Sequence, residues 1–185
     1  MKFINFLLII FITINSPIKA DLNQNLINEL KQGGKLIFIR HAYAPGGGDP
    51  INFDIIKCNT QRNLNDSGRK QADKIGSLFK DNNISTDKVY SSEWCRCKET
   101  ALIAFNQFET KNFLNSFFSS KFAQNKNSQI KSFKNFIKSW DGKKNLIFVT
   151  HYVFISEILN YVSSSGEIII SDKDFKVIDT IEIEY

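Results

Sequence analysis

The sequence predicts an α/β protein, a three-layer α/β/α sandwich with a mostly parallel central sheet. Mostly apolar runs at residues 36–39 and 145–150 are short for helices and are typical of buried parallel strands. Between them lie segments whose apolar residues recur at helical spacing. Strands that alternate with helices form a sheet with helices on both of its faces.

Helices are predicted at residues 21–32, 66–80, 93–105, about 130–140 and about 152–161. Two glycines end the first helix, and Asn65 is predicted to cap the second. In the third, Ala101, Leu102 and Phe105 are expected to face the core.

The remaining strands are less regular. Residues 88–90 form a short predicted strand, and residues 167–171 and 175–185 alternate apolar with polar side chains, which predicts two more. Residues 109–127 have no clear pattern, and no element is predicted there.

Residues 1–20 have the pattern of a secretory signal peptide. Lys2 precedes an apolar run, and a polar break ends at Ala20. We expect cleavage after about Ala20 and a secreted or periplasmic domain at residues 21–185. An uncleaved anchor is the alternative, but the run is short for the roughly 20 residues of a spanning helix.

The charge of the chain excludes few partners but favours small anions. Removing residues 1–20 lowers the net charge from +5 to +3, which does not indicate a nucleic-acid partner. The loop at residues 42–61 is long and rich in glycine, but it lacks the Gly-Lys-Ser/Thr of a nucleotide P-loop. Long ordered loops are usually functional, so we expect this loop to lie near a site.

The three cysteines, Cys58, Cys95 and Cys97, are informative because disulfides persist in exported proteins. Their odd number allows at most one internal disulfide. A bridge between Cys95 and Cys97 is unfavourable because only one residue separates them. Metal binding is a weak alternative, since no histidine lies near them at ligand spacing. No metal or cofactor is expected.

The two histidines of the chain, His41 and His151, each directly follow a strand-like run. Arg40 precedes the first of them, while Arg62 and Arg96 lie close to the starts of two helices. Guanidinium groups bind phosphate oxygens in pairs, and histidine can form a covalent phospho-enzyme. Together these residues predict a phosphoryl-transfer site where the strands leave the sheet.

The motifs that contain these residues resemble those of the histidine phosphatase (phosphoglycerate mutase-like) superfamily. They are Ile39-Arg-His-Ala, Arg62-Asn-Leu-Asn-Asp-Ser-Gly, Ser91-Ser-Glu-Trp-Cys-Arg-Cys-Lys-Glu-Thr-Ala and Val149-Thr-His. They occur in the family's order, and the resemblance spans roughly residues 35–170. It extends to the small exported phosphatases of the family.

The resemblance implies that residues 21–185 are a histidine phosphatase domain with His41 as the phosphorylated nucleophile. Arg40, Arg96 and the second catalytic histidine, His151, would line the phosphate pocket. Arg62 is similar to the additional pocket arginine of small phosphatases in this group. The implied partner is a small phosphorylated substrate, without nucleic acid and without a stable membrane span once the signal is removed.

Two residues and one segment depart from the family pattern. Ala42 and the bulky Tyr152 stand where glycine is common, after the first and second histidines. Residues 113–117, the segment that usually carries the general acid, contain no carboxylate. The general acid is therefore unassigned, with Glu93 as a weak candidate beside Glu109, Asp49 and Asp54.

If Arg62 and Arg96 meet at one phosphate, Cys58 comes close to the two cysteines that flank Arg96. We therefore predict a disulfide from Cys58 to Cys95 or Cys97 that links the long loop to the pocket wall. Three unconnected cysteines are the alternative.

The expected function is that of an exported histidine acid phosphatase-like hydrolase, which cleaves a phosphomonoester through a phosphohistidine on His41. The alternative is of another class: a non-catalytic phosphate-binding protein that retains the pocket but lacks the general acid. A mutase is a third option, which the short chain and the predicted export disfavour.

Overall fold

A computed structural model describes residues 24–185, and the predicted signal peptide at residues 1–20 lies outside them. The helices are α1 (Gln24–Gln32), α2 (Asp66–Asp81), α3 (Cys95–Phe105), α4 (Lys126–Lys138) and α5 (Tyr152–Leu159). The strands are β1 (Leu36–Arg40), β2 (Val89–Ser91), β3 (Glu109–Thr110), β4 (Leu146–Thr150), β5 (Ile168–Ser171) and β6 (Val177–Ile181).

These six strands form one sheet in the order β3-β2-β4-β1-β5-β6. The four strands from β3 to β1 are parallel to one another, whereas β5 and β6 are each antiparallel to their preceding neighbour. The predicted α/β class with a mostly parallel central sheet is confirmed.

Helices cover both faces of the sheet, because alternate side chains of each strand point to opposite sides. Ile37 and Ile39 of β1 pack in the apolar core shared with α1, α2 and α3. Leu36 and Phe38 pack in the core shared with α4 and α5. The three layers follow from these two cores.

Two helix ends lie at the residues that the sequence predicts, the end of α1 and the start of α2. Gly33, directly after α1, has a positive φ of 84°, and a β-carbon there would lie 2.3 Å from the carbonyl oxygen of Lys143. Only glycine fits this turn. Asn65 caps α2, since its side chain accepts a hydrogen bond from the backbone N–H of Gly68 at 2.9 Å.

Two regions differ from the prediction. Leu102 in α3 is 52% exposed, so the expectation that it faces the core is wrong; Cys97, Ala101 and Phe105 form the buried face, and Leu102 is one position further round the helix. Residues 109–127 contain β3 and two short 3₁₀ turns. Both residues of β3 are exposed, so no apolar pattern marks it.

No helix among residues 24–185 has the length and apolar character needed to cross a membrane.

Candidate active site

The strand register brings the two histidines together. Arg40 is opposite Thr150 in the parallel pair β1–β4, and the backbone N–H of His41 donates to the carbonyl of Thr150 at 2.9 Å. His41 and His151 are therefore the first residues beyond two adjacent strands, and their ring centroids lie 5.5 Å apart. They lie at the carboxyl edge of the parallel strands, where ligands of α/β sheets bind.

The ring of His41 is held in one orientation. Its Nδ1 lies 2.9 Å from the carbonyl oxygen of Ala42, so Nδ1 carries the proton and donates it. The backbone N–H of Ala42 donates in turn to Oγ1 of Thr100 at 3.0 Å. Burial, with Arg96 as the next cause, lowers the pKa of His41 well below its ordinary value. The ring is neutral at neutral pH, and its Nε2 keeps a free lone pair.

His151 is anchored through Nε2, whereas His41 is anchored through Nδ1. Its Nε2 lies 2.9 Å from Oγ of Ser92, and that hydroxyl also lies 3.1 Å from Oδ1 of Asn115. Burial, followed by the field of Arg96, lowers the pKa of His151 well below its ordinary value. The contact at Nε2 leaves Nδ1 of this ring available for a ligand.

The three predicted arginines are each tied to the protein through Nη1. Arg40 donates from Nη1 to the carbonyl of Ser163 at 2.7 Å, and Arg62 donates to the carbonyl of Ala44. Arg96 donates to the carbonyl of Arg62 at 3.2 Å. The Nε of each arginine is buried and lacks a hydrogen-bond partner within residues 24–185. Such unpaired buried donors are costly, and an anion could satisfy them.

Asp49, in the long loop, is paired with Arg96. Its Oδ1 accepts from Nη1 of Arg96 at 2.7 Å and its Oδ2 from Nη2 at 3.3 Å. The backbone N–H of Arg62 and the indole N–H of Trp94 also donate to this carboxylate, each at 3.0 Å. Burial opposes the ionisation of Asp49, but these donors outweigh it and lower the pKa of the carboxyl. Asp49 is therefore ionised at neutral pH.

One cavity of about 930 Å³ contains all five predicted site residues in its lining. The residues are Arg40, His41, Arg62, Arg96 and His151. Tyr152, which departs from the family pattern, also lines it, and the guanidinium of Arg40 lies 5.3 Å from its ring centroid. The bulky ring thus supports an arginine of the site.

Of the four acid candidates, only Asp49 lines this cavity in the described part of the chain. The carboxylate of Glu93 accepts from Nδ2 of Asn115 at 2.6 Å, beside a neighbouring cavity. Glu109 pairs with Lys111 at 2.5 Å on β3. Asp54 pairs with a lysine in its own loop at 3.6 Å.

Cys58 and Cys95 form a disulfide, with their α-carbons 5.6 Å apart. The predicted bridge therefore joins Cys58 to the first of its two candidate partners and links the long loop to the start of α3. Cys97 is free and buried, and its Sγ lies 3.5 Å from Nε2 of His151. Burial raises the pKa of the Cys97 thiol to about 12, so it stays protonated.

Sequence reasoning missed the residues that hold the site residues in place. Ser92 and Asn115 form the hydrogen-bonded support of His151, and Asp49 was weighed only as an acid and not as a partner of Arg96. Ser92 could have been found, because it follows β2 at the same edge of the sheet. Asn115 lies in a segment without periodicity and gave no signal.

The family model of the histidine phosphatase superfamily (branch 1) matches residues 36–116. This range contains His41 and the three arginines. No curated protein sequence matches the chain.

Several solved structures share the fold. A protein assigned as the phosphohistidine phosphatase SixA of Agrobacterium tumefaciens is 18% identical, with a TM-score of 0.56 over 80% of this chain and 97% of that one. The protein histidine phosphatase SixA in complex with tungstate is 12% identical, with a TM-score of 0.54 over 81% and 96%. The phosphoglycerate mutase of Thermus thermophilus is also 12% identical, with a TM-score of 0.54 over 81% and 99%.

Proposed function

Since the chain belongs to the histidine phosphatase superfamily, we propose that it is a phosphatase that hydrolyses a phosphomonoester through a phosphohistidine on His41. In this proposal Arg40, Arg62, Arg96 and His151 hold the phosphate. The family accounts for a phosphate-transferring enzyme, while the roles of single residues are inferred from their contacts.

The observation that carries the proposal is the shared state of the three arginines. Each is anchored through Nη1 and each leaves a buried Nε without a partner in the described chain. An arginine anchored in this way can offer the Nε side of its fork to an anion. Three such groups around one cavity match a phosphoryl group, whose transfer requires charge stabilisation on its equatorial oxygens.

His41 is suited to be the nucleophile because its neutral ring keeps the lone pair of Nε2. In the first step, a bond forms from Nε2 to phosphorus while the phosphorus–oxygen bond to the alcohol breaks. The alcohol oxygen leaves with the electron pair and takes a proton from solvent. In the second, water attacks phosphorus, the nitrogen–phosphorus bond breaks and inorganic phosphate leaves. One proton of the attacking water is released to solvent.

His151 would assist when the substrate is bound. A phosphate anion nearby stabilises the protonated imidazole, and this counteracts the effect of burial, which lowers the pKa of His151. Once protonated, His151 can donate to Ser92 through Nε2 and to a phosphate oxygen through Nδ1.

The test is a single-turnover experiment on the purified domain with a labelled phosphomonoester. We expect an acid-labile phosphoryl label on His41, a burst of released alcohol, and loss of both in His41→Ala. Wild-type turnover in His41→Ala would overturn the mechanism.

The same experiment distinguishes the phosphate-binding alternative. The observation that favours this alternative is the ionised state of Asp49, because no other carboxylate among residues 24–185 lines the cavity to protonate a leaving group. Phosphate binding without release of alcohol from any ester, in the presence of an intact His41, would identify a binding protein.

We also propose that the protein is exported. Two observations support this: the sequence pattern of residues 1–20 and the disulfide between Cys58 and Cys95, because such bonds persist outside the reducing cytosol. Fractionation of producing cells, with N-terminal sequencing of the mature chain, tests the expected cleavage after about Ala20.

A further inference from the structure

The cavity beside His41 is far larger than a phosphate group requires. At about 930 Å³ it is near the upper end of pockets that enclose whole organic ligands, which span roughly 300–1,000 Å³. The arginines and histidines form only a part of its lining. The remainder has room for a bulky leaving group.

Another part of the lining is a cluster of three aromatic rings next to His151. Trp94 packs edge-to-face with the His151 ring, with ring centroids 5.3 Å apart, and Phe53 stacks on Trp94 with centroids 5.1 Å apart. Phe122 packs edge-on against both, at 5.5 Å and 5.6 Å. All three aromatic residues line the cavity, so an apolar surface adjoins the proposed phosphate site at His151.

A second aromatic part of the lining adjoins Arg40. Tyr152 lies beside the Arg40 guanidinium, and Phe118 packs against Tyr152 with ring centroids 5.7 Å apart. Phe118 is 61% exposed, and Ile51, also in the cavity lining, is fully exposed. Both side chains are therefore accessible to an apolar group of a ligand in the cavity.

The protonation of the site points to the same kind of leaving group. Asp49, the one carboxylate in the cavity lining within residues 24–185, is ionised and engaged with Arg96. A cavity whose lining carboxylate is ionised has no carboxyl proton to donate and is best suited to alcohols that leave as anions. Phenols do so far more readily than alkanols, since their pKa is only about 10.

We propose that this site acts on aryl phosphomonoesters, whose aromatic ring packs against the two aromatic groups of the cavity lining, Phe53, Trp94 and Phe122 on the one hand and Phe118 and Tyr152 on the other. The proposal rests on the proposed phosphatase function. The nitrogen–phosphorus bond forms as the phosphorus–oxygen bond breaks, and the phenolate leaves with the electron pair and takes a proton from solvent. Hydrolysis of the phosphohistidine then releases phosphate.

The test compares kcat/KM for 2-naphthyl, phenyl, octyl and glycerol phosphates. We expect 2-naphthyl phosphate to exceed octyl and glycerol phosphates by at least about tenfold, the scale of one or two good aromatic contacts. Phe118→Ala should lower the ratio of naphthyl to glycerol phosphate several-fold. Leu102→Ala is the matched control, since it removes an exposed apolar side chain on α3 that does not line the cavity.

A second measurement separates recognition from turnover. By calorimetry, naphthylmethylphosphonate should bind at least about tenfold more tightly than methylphosphonate. Hydrolysis of all esters at similar kcat/KM, or a preference for octyl phosphate over the naphthyl ester, would overturn the assignment to aryl esters. The proposed phosphatase function would still stand. Tight binding of the naphthyl phosphonate without turnover of any ester would instead overturn the phosphatase.

Discussion

At the scale of single residues, the contact between Asp49 and Arg96 orients a guanidinium of the proposed phosphate site. The carboxylate binds the Nη1 and Nη2 end of the guanidinium, so the Nε edge is left for a ligand. Asp49 therefore orients Arg96 without occupying the whole fork. Its negative charge also offsets part of the positive charge that the arginines bring to the cavity.

Asp49→Asn should separate these two effects. The amide keeps an oxygen that can accept hydrogen bonds but loses the charge that holds Arg96. We therefore expect kcat for 2-naphthyl phosphate to fall by about tenfold, which is less than the loss on removing an oxyanion donor outright. Inorganic phosphate, in contrast, should inhibit the variant as well as or better than the wild type, because a repelling charge has been removed. Steady-state kinetics with phosphate as competitor give both values.

A comparison of the kcat loss in Asp49→Asn for esters with good and poor leaving groups distinguishes two roles of Asp49, the orientation of Arg96 and the donation of a proton. Loss of a positioning residue lowers kcat to a similar extent for naphthyl and octyl phosphates. A loss confined to octyl phosphate would identify Asp49 as the general acid, since only the poor leaving group depends on a donated proton. An unchanged kcat with both esters would show that Arg96 does not need this partner.

The residues of the site differ in how far the sequence revealed them. His41 and His151 were predictable because each follows an apolar strand, and parallel neighbours end at one edge. The contact of Asp49 with Arg96 spans 47 residues and starts in a loop, where no periodicity reports on direction. The support of His151 by Asn115 through Ser92 depends on the path of an irregular segment, which local pattern does not determine.

At the scale of elements, the loop between β1 and α2 contributes most to the site after the strand ends. It brings Asp49 to Arg96 and ends close to Arg62, and the disulfide from Cys58 joins it to the first residue of α3. Cys95 and not Cys97 is the partner because Cys97, two positions along the helix, faces β4 and the core. The bond thus reduces the freedom of a loop that carries site residues.

Replacing both bonded cysteines, as in Cys58→Ser with Cys95→Ser, should destabilise the protein and weaken substrate binding. A disulfide of this kind contributes typically about 2–4 kcal/mol to the free energy of unfolding. We expect a loss of that order in denaturant unfolding, and a KM several-fold higher because Asp49 and Arg62 must be ordered on binding. Reduced wild-type protein should behave like the double variant, and reductant should have no effect on the variant itself.

Alkylation with mass spectrometry provides the accompanying check on the thiols. Native, unreduced protein should take up no label, since Cys97 is buried and its thiol pKa is raised to about 12. Unfolded, unreduced protein should take up one label, on Cys97. Labelling of Cys58 or Cys95 in the unreduced protein would contradict the disulfide.

At the scale of the whole molecule, the fold follows from patterns that the sequence displays clearly. The strands β1 and β4 are continuous apolar runs, and the helices present apolar faces at regular spacing. The exceptions have local physical reasons. Strand β3 consists of two exposed residues that pair with β2 only through the backbone, so its formation depends on a neighbour and not on its own side chains.

The fold also places two imidazoles in an interior that disfavours their charged form, and this makes the stability of the ligand-free protein depend on pH. Burial lowers the pKa of both His41 and His151 in the folded state, whereas in the unfolded chain both titrate near their ordinary value of about 6.5. Below that value the unfolded chain binds protons that the folded protein does not. The free energy of unfolding should therefore fall as pH decreases from about 7 to 5, by at most about 1.4 kcal/mol per pH unit for each histidine.

Denaturant unfolding across this pH range measures the effect, and the double variant His41→Gln with His151→Gln is the control. The variant should lose most of the slope between about pH 7 and 5, because the remaining acidic groups titrate mainly near or below about pH 4. Inorganic phosphate should also flatten the wild-type slope, since a bound anion stabilises protonated imidazole and opposes the lowered pKa values. A wild-type slope equal to that of the double variant would mean that the two rings are protonated as readily in the folded protein as in the unfolded chain. The environment of His41 would then give no support to the proposed neutral nucleophile.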